Sequence, residues 1–133
     1  MEDFVTFEMA KKLKTKGFSC QYPFAMYNEK GVFHECYTSV GNMQYYDYDD
    51  FDKYDYIAPT ISQVLKWLRE EKKYYVSVTY VGKIEDSSDF YYPTIQIVGE
   101  FDKTIFTNGN DSFDNYEEAV LTGIEYTLDN LII

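Results

Sequence analysis

Apolar positions recur at helical spacing in three stretches of this chain and alternate with polar ones in the segments between. The first stretch starts at Thr6, whose hydroxyl suits an N-cap, and carries Met9, Ala10 and Leu13 as a short apolar stripe. Lys11, Lys12, Lys14 and Lys16 crowd its second half, where cations complement the helix dipole and read first as a solvated face. Gly17 supplies a left-handed stop, and Phe18 is placed to fold back on Leu13. The second stretch opens with a capping box, Thr60 as cap and Gln63 at the third helical position, just after Ala58-Pro59. Ile61, Val64, Leu65 and Leu68 then follow the spacing of one buried helix face, with Trp67 beside it. Arg69, Lys72 and Lys73 are expected to close its last turn. The third stretch begins at Asn115 with Glu117 and Glu118 in its first turn, and its apolar face is Val120, Ile124, Leu128 and Leu131. Gly123 inside it costs about 1 kcal/mol against Ala, which close packing on a sheet would explain.

Strand patterns fill the intervals. Residues 21–27 and 32–38 flank the turn signal Asn28-Glu29-Lys30-Gly31 and predict a hairpin, with Pro23 pushing the first strand toward a sheet edge. Residues 74–83 alternate, with Val76, Val78 and Tyr80 on one face and Tyr75, Ser77, Thr79 and Val81 on the other. Residues 92–98 return through Ile95 and Ile97, and a third strand runs through Thr104, Ile105 and Phe106. The predicted order is α-β-β-α-β-β-(β)-α: an α+β fold with three helices packed on an antiparallel sheet of four to five strands. At 133 residues the chain fits a single domain spanning residues 1–133, and 45% hydrophobic residues predict a packed core rather than disorder. The two αββ stretches invite comparison as a duplication, although similar helix starts also arise for local reasons.

Regular periodicity disappears between Ser39 and Tyr56, most of which is the acidic-aromatic run 45–56. There five tyrosines and five aspartates alternate around Phe51 and Lys53, which predicts a loop or a short edge strand. The whole chain is acidic as well, with 23 Asp plus Glu against 12 Lys plus Arg and a net charge of −11. Such a field repels phosphate backbones and anionic lipid, so direct nucleic-acid and membrane binding are disfavoured; it favours a basic protein partner or simply serves solubility, the commoner reason for such a balance. No apolar run reaches the length of a membrane span, and Met1-Glu2-Asp3-Phe4 lacks the pattern of an export signal. The expectation is a cytoplasmic protein whose two cysteines, Cys20 and Cys36, are reduced thiols.

Three segments carry a resemblance. Val5-Thr6-Phe7-Glu8-Met9-Ala10 through Lys16-Gly17-Phe18, Ala58-Pro59-Thr60-Ile61-Ser62-Gln63 through Lys72, and Tyr116-Glu117-Glu118-Ala119 through Leu128 stand in the order seen in one group. The chain is similar there to a family of small uncharacterised acidic bacterial proteins, often encoded in prophages or other mobile elements. The middle segment is the specific part. The resemblance implies a bacterial, cytoplasmic, mobile-element context and brings no activity, cofactor or site residue with it.

Catalytic and metal constellations fail one by one. His34, the sole histidine, shares a strand face with Cys36, but no orienting or oxyanion group accompanies them. Cys20, His34 and Cys36 lack the paired spacing and fourth ligand of a zinc site. A calcium loop counted from Asp47 puts Phe51 at the fifth position, Asp52 at the sixth and Ala58 at the twelfth, where oxygen ligands, Gly and Glu belong. The Asn108-Gly109-Asn110-Asp111-Ser112 loop reaches Ala119 at its closing position. No phosphate loop or nucleophile elbow is present. The sequence therefore predicts a non-enzymatic interaction protein without metal or cofactor. Its candidate binding residues are Tyr46, Tyr48, Asp49, Asp50, Asp52 and Tyr54, since tyrosine gives contact area and aspartate selects a basic protein partner. The alternatives are an acidic DNA mimic that blocks a nucleic-acid-binding protein, and a small enzyme with a Cys/His centre.

Overall fold

In the computed structural model the described residues are 3–19, 25–35, 38–39, 42–43, 56–82, 90–100, 103–106 and 112–132, with backbone alone described at 38–39, 42–43 and 106. The fold is α+β, with three helices and antiparallel sheets. They fall into two compact units, Met1–Gln63 and Val64–Ile133.

In the first unit, helix α1 (Phe7–Thr15) starts because the Thr6 hydroxyl accepts the Met9 N–H at 3.2 Å. It ends in a Schellman motif: Phe18 N–H donates to Leu13 O at 3.0 Å and Gly17 N–H to Lys14 O at 3.2 Å, with Gly17 at φ +88°. Met9, Ala10, Leu13 and Phe18 are buried, so both the stripe and the fold-back residue sit inside. Strands β1 (Ala25–Tyr27) and β2 (Phe33–Glu35) form the expected hairpin. The Asn28 side-chain oxygen accepts from the Lys30 and Val32 amides, and Gly31 takes φ +83°. Strand β3 (Thr38–Ser39) pairs with β4 (Asn42–Met43). Strand β5 (Tyr56–Ile57) then pairs antiparallel with β1, giving the sheet order β2-β1-β5, and α1 packs on β5.

Helix α2 (Ile61–Glu70) opens in the first unit and continues in the second. Its capping box is reciprocal: Gln63 N–H donates to the Thr60 hydroxyl at 3.2 Å, and Thr60 N–H donates to the Gln63 side-chain oxygen at 2.9 Å. Val64 and Leu68 are fully buried. The helix stops earlier than its charges suggest. Of the three cations expected in the last turn only Arg69 lies there, because Lys73 turns the chain at φ 65° into the next strand.

The second unit continues with strands β6 (Tyr74–Val81), β7 (Phe90–Ile97) and β8 (Thr104–Phe106), an antiparallel meander in the order β6-β7-β8. Helix α3 (Tyr116–Tyr126) is capped by Asn115, whose side-chain oxygen accepts from Glu118 N–H at 2.8 Å, and packs across β6 and β7. Ala119, Val120, Gly123, Ile124 and Leu128 are buried, and Leu131 at the end of the predicted face is half-buried. At Thr127–Leu131 the helix widens into a π turn, where the buried Thr127 hydroxyl donates to Gly123 O at 2.8 Å.

Pro93 occupies the central strand β7, a place that normally rejects proline. Val98 N–H bonds Lys73 O, so even-numbered β7 residues direct their backbone groups toward β6. Odd-numbered ones face the β8 side, as Tyr91 does when it exchanges both bonds with Phe113. The missing N–H of Pro93 thus falls on the β8 side, between the Phe106 and Phe113 pairings, and costs no bond to β6.

One feature differs from expectation. The strands form separate three-stranded sheets plus the β3–β4 pair, rather than one sheet of four to five, because Tyr56-Ile57 at the end of the acidic run adds to β1. The two αββ stretches do not share a topology. The strand after the helix is central in the first sheet (β1) and an edge in the second (β6).

Candidate functional site

The most distinctive side-chain arrangement among the described residues lies in the first unit. Five aromatic rings form a continuous chain of contacts: Phe4 to Phe33 at 5.3 Å between centroids, Phe33 to Tyr27 at 5.4 Å, Tyr27 to Phe7 at 5.5 Å, and Phe7 to Tyr56 at 5.5 Å. All four contacts are tilted or edge-on, the geometry that the ring quadrupole favours.

Backbone pairing brings these residues together. Val5 N–H donates to Pro59 O and Ile61 N–H to Asp3 O, fixing Phe4 beside the start of α2. Phe7 is the first residue of α1, and the hairpin register sets Tyr27 opposite Phe33 on one side and opposite Tyr56 on the other. The Tyr27 hydroxyl donates to Val5 O at 2.6 Å, and burial raises its phenol above the usual value. Gly31 lies so close to the Phe7 ring that an added Cβ would stand 2.9 Å from it. The turn therefore needs glycine twice over, for its φ and for this contact.

The two ends of the ring chain differ in chemistry. At one end, Lys11 lies over Phe7 at 4.5 Å and Lys14 over Tyr56 at 4.8 Å. Lys11 also pairs with Glu8 at 2.9 Å. The helix lysines are thus partly engaged with rings rather than only solvated. At the other end Phe33 is 39% exposed, next to Val32 at 55%, and His34 and Glu35 are exposed as well. Among the described residues strand β2 is a sheet edge, so an apolar spot flanked by polar side chains borders backbone that no described strand pairs with.

The residues singled out from sequence, Tyr46, Tyr48, Asp49, Asp50, Asp52 and Tyr54, lie outside the described residues. Tyr56, the last of that run, is described and belongs to the ring chain. His34 stands on β2 opposite Met26, while Cys20 and Cys36 lie outside the described residues, as does the 108–111 loop. Among the described residues no cluster of three or more His, Cys, Asp or Glu could hold a metal ion. None of their helices is long and apolar enough to cross a membrane.

A shallow groove in the second unit is lined by Arg69, Tyr75, Gln96, Val98, Gly99 and Glu100 among others, with a volume of about 260 Å³. That is below the usual size of a small-molecule site. Sequence reading missed the ring chain because its contacts join residues far apart along the chain. The i, i+4 spacing of Phe7 and Lys11 is a local signal of one contact at its end. No protein-family model, curated protein or solved structure matches this chain.

Proposed function

We propose that this chain is a non-enzymatic binding protein that engages a basic protein partner through the aromatic edge of its first unit and the acidic tyrosine-rich segment 45–56. The supporting observation is the ring chain with its open Phe4/Phe33 end beside exposed Val32. Exposed aromatic residues at a sheet edge supply the kind of anchor on which interfaces concentrate their energy. An arginine or lysine of the partner can stack on the Phe33 face, whereas Lys11 and Lys14 already lie over Phe7 and Tyr56. The five aspartates of residues 45–56 favour the same cationic partner by long-range attraction. The family resemblance adds a bacterial, cytoplasmic setting and a mobile-element origin to this reading.

The test is capture of partners from bacterial lysate by the wild-type chain, by Val32→Ser/Phe33→Ser, and by a variant with the five aspartates changed to asparagine. The proposal expects a partner retained at low salt, weakened at high salt, and lost or strongly depleted with both variants. An identical set of captured proteins for all three chains refutes it. Displacement of that partner by duplex DNA identifies the DNA-mimic form of the same function.

A further inference from the structure

The second unit presents an edge that is complementary to itself. Strand β6 is eight residues long, carries no charge, no proline and no glycine, and lies at the side of its sheet. Natural edge strands are normally blunted by such residues, and this one is not. Its backbone polarity follows from the ladder. Lys73 O accepts from Val98, so odd-numbered residues of β6 bond toward β7 and even-numbered ones point outward. The outward N–H and C=O groups of Val76 and Val78 have no partner among the described residues.

The side chains are arranged symmetrically about the middle of this strand. Reading outward from Ser77, Val76 matches Val78 and Tyr74 matches Tyr80, while Tyr75 against Thr79 departs from a palindrome and Val81 falls opposite Lys73, just before the strand. An isologous two-fold interface requires this self-complementarity. Antiparallel pairing about Ser77 sets even-numbered residues opposite even-numbered ones, the outward-facing set. The centre of the sequence symmetry falls on a residue, so the outward-facing set pairs with itself, as the hydrogen-bond parity requires.

We infer that two copies of this chain associate through antiparallel β6–β6 pairing centred on Ser77, making one six-stranded sheet. Val76 exchanges N–H···O bonds with Val78 of the second copy, and Val78 does the same with Val76. Tyr74 meets Tyr80 across the two-fold on the face that α3 covers, while Ser77 meets its own counterpart on the opposite face. Such aromatic and β-branched cross-strand pairs are favourable. Strand-edge pairing alone buries less than the roughly 1,600 Å² of a standard interface, which places the dimer in the weak, concentration-dependent class. Two copies at −11 each repel, so added salt tightens this dimer. The residues of this association are distinct from those of the proposed partner-binding surface.

Sedimentation equilibrium of the full chain across a wide concentration range tests the inference. Wild type is expected to show a reversible monomer–dimer equilibrium that strengthens with salt. Val78→Pro removes an outward N–H while sparing the β7 ladder, deleting two bonds per dimer and weakening association roughly tenfold or more. Should that variant fail to fold, Ser77→Lys and Ser77→Asp decide. Each sets like charges against itself at the two-fold and yields monomer, and an equimolar mixture restores a dimer. Ser77→Ala, which only loses the 2.8 Å contact to the Thr94 hydroxyl, stays dimeric. A wild type that remains monomeric at every concentration overturns the inference, as does a Ser77→Lys chain that dimerises like wild type or an association that grows into open-ended fibres.

Discussion

Gly123→Ala sets two local effects of opposite sign against each other. Replacing a mid-helix glycine gains about 1 kcal/mol of helix propensity. Yet a Cβ at this position would stand 2.8 Å from Val76 Cγ1 and 3.0 Å from Pro93 Cβ. Neither neighbour can swing away. Val76 is buried beneath α3, and Pro93 is a ring fixed to the central strand. Relief requires α3 to lift from the sheet, and overpacking of this kind costs about 1–3 kcal/mol. The clash is therefore expected to win, with a net loss of about 1 kcal/mol. Trp67, the single tryptophan, lies in the second unit and reports its unfolding in urea by fluorescence. With a slope of about 1–3 kcal/mol/M the midpoint should fall by roughly 0.3–1 M. In a Val76→Ala background the closest contact is gone, and the same glycine substitution should turn neutral or stabilising, a coupling of about 1 kcal/mol. A Gly123→Ala midpoint at or above wild type would refute this account of α3 packing.

Other expectations follow from single contacts. Thr60→Ala removes one half of the reciprocal capping box and should cost about 1 kcal/mol by urea unfolding; an unchanged midpoint contradicts the cap. Tyr27→Phe should cost about 0.5–1.5 kcal/mol through the lost bond to Val5 O. Because burial raises the Tyr27 phenol, its contribution is fully present below about pH 10 and fades as pH rises through the folded value. The gap between wild type and Tyr27→Phe should therefore be flat below that pH and narrow above it, and a gap that widens there contradicts the direction. Lys73 sits at φ 65°, so Lys73→Gly should relieve about 1–2 kcal/mol of backbone strain against about 0.5–1 kcal/mol of added chain entropy. A small net rise in midpoint is expected, and a fall would show that the lysine side chain matters more than its backbone.

The parts of the fold legible in the sequence are those set within a few residues. Thr6, Gly17 with Phe18, Thr60 with Gln63, and Asn115 all cap as their local chemistry dictates. Gly123 packs against the sheet for the reason its cost suggested. What was not legible depends on pairing at a distance. Nothing local to Tyr56 reveals that it adds to β1 and meets Phe7, so the split into two sheets and the five-ring chain both escaped. Pro93 argues against a central strand until the parity of its neighbours shows that no bond to β6 is lost. For residues 46–54 the expectation of a binding surface rests on composition and charge alone.

The central claim, that a partner docks on the open end of the ring chain, is tested most directly by hydrogen exchange on the chain with its captured partner bound. Edge-strand amides of β2 exchange readily when no neighbour covers them. Binding is expected to slow exchange at the outward-facing amides of Phe33 and Glu35, whereas the His34 amide already faces β1, and to leave the amides of β7 as they were. Protection confined to the second unit, with β2 unaffected, would contradict the claim.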